Sequence, residues 1–213
     1  MKKKIAYLAL SLGLFASVLS APVLGYALAD SNSGTDNTAT TNAANTDEKA
    51  KRDARVESYK KTLKETLTAA VKTRITERCV ASQALVKVRS TNNSNAGAAR
   101  TTSYNAIATK LESLSTAAAA KGAPVTTLNA NITELKVKIV AFTTADTTYK
   151  DALADLSALD CKTDPTAFKA ALETARSDQA SVFAASKAIR AYLVDTVKPT
   201  LSAIKTALNS TAN

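Results

Sequence analysis

LNANITELKVKIVAFTTADTTYKDALADL, residues 128–156, places Leu128, Ile132, Leu135, Ile139, Phe142, Asp146, Tyr149, Leu153 and Leu156 in alternating steps of four and three. That spacing is a heptad seam on a helix, unbroken over eight turns and interrupted in character only by Asp146. The final quarter repeats the rhythm through Phe168, Leu172, Ala175, Gln179, Val182, Ser186, Ile189, Leu193 and Thr196. Two long helices with one apolar seam each must pack together. Lys121 and Gly122 with Pro124 just beyond supply a helix stop, and Thr126 or Thr127 can cap the next start. Asp164 followed by Pro165 is an N-cap with proline at the first helical position, so the breaks fall near 122 and 162.

Upstream of Gly122 two architectures fit. Residues 90–97 are polar and end on Gly97, which suits a loop and an up-down four-helix bundle. Counting back from Leu111, Ile107 and Tyr104 in the same rhythm, however, reaches Gly97, Asn93, Val86 and Cys79 without loss of phase. The two cysteines separate the alternatives. A turn at 90–97 leaves Cys79 and Cys161 roughly 37 Å apart at 1.5 Å rise per residue, too far to bond. A continuous helix brings them to one level. The expected fold is therefore all-α: an elongated antiparallel three-helix bundle of about 79–121, 125–161 and 165–208, with a kink or break at Pro199 and a helical arm before it. The four-helix bundle with a loop at 90–97 is the alternative.

The N-terminus sets the compartment. Lys2, Lys3 and Lys4, an apolar run from Ile5 to Leu19, and Ala27, Leu28 and Ala29 before Asp30 read as an export signal over 1–29. Residues 30–48 are a low-complexity run of Asn, Thr, Ser, Ala and Asp, expected to be a disordered polar leader. The arm is 49–78 and the bundle domain 79–213. Retention of the apolar segment as an anchor is the competing reading; after cleavage no stable membrane span is expected. Secretion or display at the cell surface makes a Cys79–Cys161 disulfide the simplest use of the only two cysteines.

The full chain carries a net charge of +10, but its basicity is local: 49–89 holds 12 Lys or Arg against 4 Asp or Glu, and 90–160 holds 6 against 6. An acidic-surface or nucleic-acid reading must rest on 49–89, where the cations form no aligned stripe and no stacking aromatics are interleaved. The same arm carries an apolar stripe at helical spacing, Val56, Tyr59, Leu63, Leu67, Val71 and Ile75. In the three-helix register this arm projects past the disulfide with no partner helix, so an unknown protein or a second copy is expected to cover it.

With no histidine, the usual partner of a Ser or Cys nucleophile is missing, and no glycine-rich phosphate loop is present. No catalytic residue, metal site or cofactor is expected, and no enzyme. In the bundle register Asp146 meets Asn93 or Ser94 and lies beside Gln179, with Arg100 and Arg176 within a turn or two. This buried polar layer is expected to set register, as single polar seam residues do, rather than to hold a ligand.

Arg78 with Cys79, Lys121 with Gly122, Leu159, Asp160 and Cys161 before Asp164 and Pro165, and Thr196, Val197, Lys198 and Pro199 form a layout over about 78–200. It resembles uncharacterised exported helical proteins with a single cysteine pair from small-genome candidate-phyla bacteria. The resemblance implies an exported helical body and no assigned activity. The function expected is therefore binding or scaffolding outside the cytoplasm, with electrostatic capture of acidic envelope polymer, host surface or extracellular DNA through 49–89 as the alternative.

Overall fold

The computed structural model describes residues 38–63 and 66–210, with side chains from Asp47 onward. The expected export signal over 1–29 and the first part of the expected leader lie outside the described residues. One compact unit runs from Asn42 to Asn213. Its elements are α1 (Thr38–Thr62), α2 (Ala69–Glu77), α3 (Cys79–Ala119), α4 (Thr126–Ala158), α5 (Pro165–Tyr192), a π-helical turn (Leu193–Val197) and α6 (Lys198–Ser210). The fold is all-α.

Helix α4 is the central element because its whole seam is inward: all nine seam residues from Leu128 to Leu156 are buried. Helix α3 packs along one side of α4 and α5 along another. Burying seven Leu, Ile or Phe side chains in one helix face is the main favourable term, at roughly 1.5–3 kcal/mol each before chain entropy. Tyr104 ties the three together. Its ring meets Phe142 edge-on at 5.2 Å, and its hydroxyl lies 2.7 Å from Ser186 Oγ on α5.

Helix α3 is continuous through 90–97, which removes the four-helix alternative. Gly97 survives in mid-helix because the space over it is taken: a Cβ there would collide with the Asp146 carboxylate. Mid-helix alanine normally gains about 1 kcal/mol over glycine. Gly97→Ala is expected to lose about 1–3 kcal/mol instead, from overpacking at this contact. Urea unfolding of Gly97→Ala, Asp146→Ala and the double variant checks this, with alanine at 97 becoming favourable once the carboxylate is gone.

The α3–α4 turn closes as its residues require. Gly122 has a φ of 79°, and Ala123 N–H donates to the Ala118 carbonyl at 3.1 Å, a Schellman closure. At the start of α5, Asp164 Oδ1 accepts from Ala167 N–H at 2.8 Å with Pro165 behind it. No threonine caps α4; Val125 occupies the N-cap without a side-chain bond.

Three expectations need correction. The helix does not break at Pro199; five π-helical residues widen the turn just before it, so the missing proline N–H and the ring are absorbed and α6 continues to Ser210. The leader is not wholly disordered, since α1 begins at Thr38 and takes in 38–48. Ion pairs of Lys51 with Asp47 and Glu48, and of Lys49 with Asp53, support that stretch at helical spacing. The arm is not one projecting helix. It leaves helix after Thr62 and re-enters at Ala69, where Thr68 Oγ1 accepts from Val71 N–H at 3.4 Å, and both pieces contact the bundle.

Candidate binding site

Cys79 and Cys161 are joined in a disulfide with Cα atoms 5.5 Å apart, at the end of the bundle opposite Gly122. Both are buried. One helical turn along α3, Gln83 Nε2 donates to the Leu159 carbonyl at 2.7 Å, satisfying one of the last acceptors of α4. This clamp fixes where α3 begins, and Arg78 alone separates it from the end of α2.

Between α2, the first turn of α3 and the first turns of α5 lies a groove of about 330 Å³. Val71, Ile75, Phe168 and Leu172 give it an apolar lining, and Arg74, Arg78, Lys169 and Arg176 give it four cations. No acidic residue lines it. Lys169 pairs with Glu173 one turn along. Among the described residues, Arg74, Arg78 and Arg176 have no carboxylate partner. Positive charge of one sign over a low-dielectric wall concentrates field in a cleft and favours an anion there.

The other piece of the arm, α1, is latched to the bundle. Asp155, on α4 beside the seam and only 1% exposed, accepts from Arg55 Nε at 2.8 Å, from Arg55 Nη2 at 2.7 Å and from the Tyr59 hydroxyl at 2.9 Å. Val56 is buried between these two residues, and Lys60 pairs with Asp164 at 2.9 Å. Burial and then the hydrogen bond to Asp155 hold the Tyr59 hydroxyl protonated well above its ordinary range. The bond to Asp155 likewise strengthens the hold of Arg55 on its proton. The latch is not evident from the charge pattern of 49–89, whose cations form no aligned stripe. The available signal was Arg55 and Tyr59 at i and i+4, a guanidinium and a phenol on one helix face, able to converge on one carboxylate.

Asp178 on α5 has a buried Oδ2 with no hydrogen-bond partner, and burial raises its carboxyl pKa. A raised value in the folded state means that the neutral form is the favoured one. The resulting stability is present below the ordinary carboxylate range and is lost as pH rises through the raised value. Asp178→Asn is therefore expected to raise the melting temperature at pH 7, with the advantage shrinking towards about pH 3; thermal unfolding across that range checks it. Asp164 behaves oppositely: burial pushes it up, but Ala167 N–H and Lys60 outweigh that and leave it lowered, so its contribution is lost in acid.

The polar layer forms only in part. Asp146 is buried and receives Asn93 Nδ2 at 3.4 Å, but its charge partner is Lys150 one turn along α4, at 2.6 Å. Arg100 and Arg176 are both exposed and do not reach it. Gln179 is half-buried and makes no side-chain hydrogen bond among the described residues. The i, i+4 spacing of Asp146 and Lys150 offers a shorter path to charge balance than an arginine on another helix.

The arm stripe is divided rather than continuous. Val56 and Tyr59 face the bundle, Val71 and Ile75 line the groove, and Leu63 and Leu67 sit half-buried in the connection. Among the described residues, no group of three or more His, Cys, Asp or Glu is placed to hold a metal ion. No described helix is long and apolar enough to cross a membrane. No family model, curated protein or solved structure matches the chain.

Proposed function

We propose that this is an exported helical binding protein, secreted or held at the cell surface, whose rigid bundle presents the cationic groove at the disulfide end to its partner. The observation that carries the reading is the convergence of Arg74, Arg78 and Arg176, without carboxylate partners among the described residues, on the apolar surface of Val71, Ile75 and Leu172. A concave apolar wall with a few charged groups is the usual make-up of a ligand site. The disulfide is compatible with an oxidising compartment and holds the two sides of the groove together.

A long acidic polymer lying along 49–89 is less well supported. Lys49, Lys51, Arg55 and Lys60 are already paired with acids of the same chain. Their field is largely spent locally, whereas Arg74, Arg78 and Arg176 in the groove have no carboxylate partner among the described residues.

Capture from envelope or host-cell extract by the oxidised mature protein tests the reading, with Arg74→Gln/Arg78→Gln/Arg176→Gln as the comparison. A partner retained by the natural sequence and lost by the triple variant is expected. Identical capture by both proteins would overturn the assignment of binding to this groove. Recovery of protein from the medium or cell surface with Asp30 at its N-terminus is the expected companion result.

A further inference from the structure

We infer that the groove accepts a single-chain anionic amphiphile, with a carboxylate or phosphate head between Arg74, Arg78 and Arg176 and its apolar body along Val71, Ile75 and Leu172. This rests on the binding role proposed above and specifies its ligand.

Size, polarity and charge each narrow the occupant. A volume of about 330 Å³ lies at the small end of ligand sites, enough for one hydrocarbon chain with its head and too little for a two-chain lipid. Phe168 is buried beneath the lining, while Ile75 and Leu172 are half-buried against the core, so the floor is anchored but still reachable. A bare inorganic anion would leave that floor wet. A neutral amphiphile would leave three guanidinium groups unused. Only a ligand with both features gains from both surfaces, since guanidinium binds carboxylate and phosphate by paired N–H donors and the chain removes apolar area from water. Lys169 contributes less because Glu173 neutralises it. Ser82 supplies the one hydroxyl in the lining.

The test is calorimetric titration of the oxidised mature protein with decyl phosphate, decanoate, decyl maltoside and inorganic phosphate, each below its micellar concentration. Saturable binding at one site by decyl phosphate or decanoate is expected, at least about tenfold tighter than decyl maltoside or inorganic phosphate. The difference between the two anionic probes identifies the preferred head. Arg74→Gln/Arg78→Gln/Arg176→Gln and, separately, Leu172→Glu should each weaken that binding by about tenfold or more. The three arginines are exposed, so the triple variant is expected to melt as the natural protein does, and it decides the matter if Leu172→Glu does not fold. Equal binding of decyl maltoside, equal binding of inorganic phosphate, insensitivity to the arginines, or no binding of either anionic amphiphile overturns the inference. If amphiphiles fail while capture from extract still depends on the arginines, the binding role stands with a different ligand. If capture is also insensitive, both proposals fall.

Discussion

Replacing Cys79 and Cys161 together by alanine is expected to lower stability by about 4.5 kcal/mol on the chain-entropy model for a closure of this length. The crosslink spans a sequence separation of 82 and is buried at both ends. Without it, the unfolded chain regains the freedom of that loop while the native contacts change little, so most of the effect is exerted on the unfolded state. A local consequence follows from the position of the bond. Helix α2 ends at Glu77, two residues before Cys79, so loosening the clamp also frees one wall of the groove from the other. Guanidinium unfolding of the oxidised protein and the double-alanine variant measures the loss, and a difference under about 1 kcal/mol would mean that packing along α4 alone sets the stability.

Asp155→Ala should produce the second large effect, and it should be regional. Removing one member of a buried ion pair typically costs about 3–5 kcal/mol because the other member is left without compensation. Here the stranded groups are Arg55 and the Tyr59 hydroxyl, and the Arg55 side chain is 36% exposed. The cheaper outcome is for α1 to leave the bundle and rehydrate its arginine, which places the expected loss near the lower figure and confines it to α1. Limited trypsin digestion reads this directly. Cleavage at Lys49 to Lys61 should accelerate strongly in Asp155→Ala while cleavage within α4 and α5 stays slow. Equal acceleration everywhere would show that the latch supports the whole bundle, and no acceleration would show that α1 is held by Val56 and the Lys60–Asp164 pair without it.

The bundle was legible because its information is periodic. Nine positions on α4 keep one phase, and every one of them is buried. The continuity of α3 was legible for the same reason, since phase carried across 90–97 even though Asn and Gly are poor helix formers there. The two cysteines supplied the second argument, since only a continuous α3 brings Cys79 and Cys161 to one level. What escaped is specified by pairs of residues and not by a period. Asp155 stands next to the seam, at a position where a carboxylate usually faces water, and only Arg55 and Tyr59, nearly one hundred residues away in sequence, make its burial tolerable. The interruption of the arm helix was hidden because 63–68 contains neither Gly nor Pro, the residues that normally mark a break. The groove was invisible because no periodicity in the sequence places Arg74 on α2 and Arg78 just after it beside Arg176 on α5. At Pro199 the proline was read correctly as an obstacle, and the chain answers it with a π-helical turn in place of a break.

Hydrogen exchange on the oxidised mature protein, with and without saturating decyl phosphate, tests most directly that recognition occurs at the clamped end of the bundle. The account predicts added protection confined to residues 71–82 and 168–176, where α2, α3 and α5 line the groove. Protection that is absent from those segments, or that appears instead around the opposite end at residues 112–136, would contradict it.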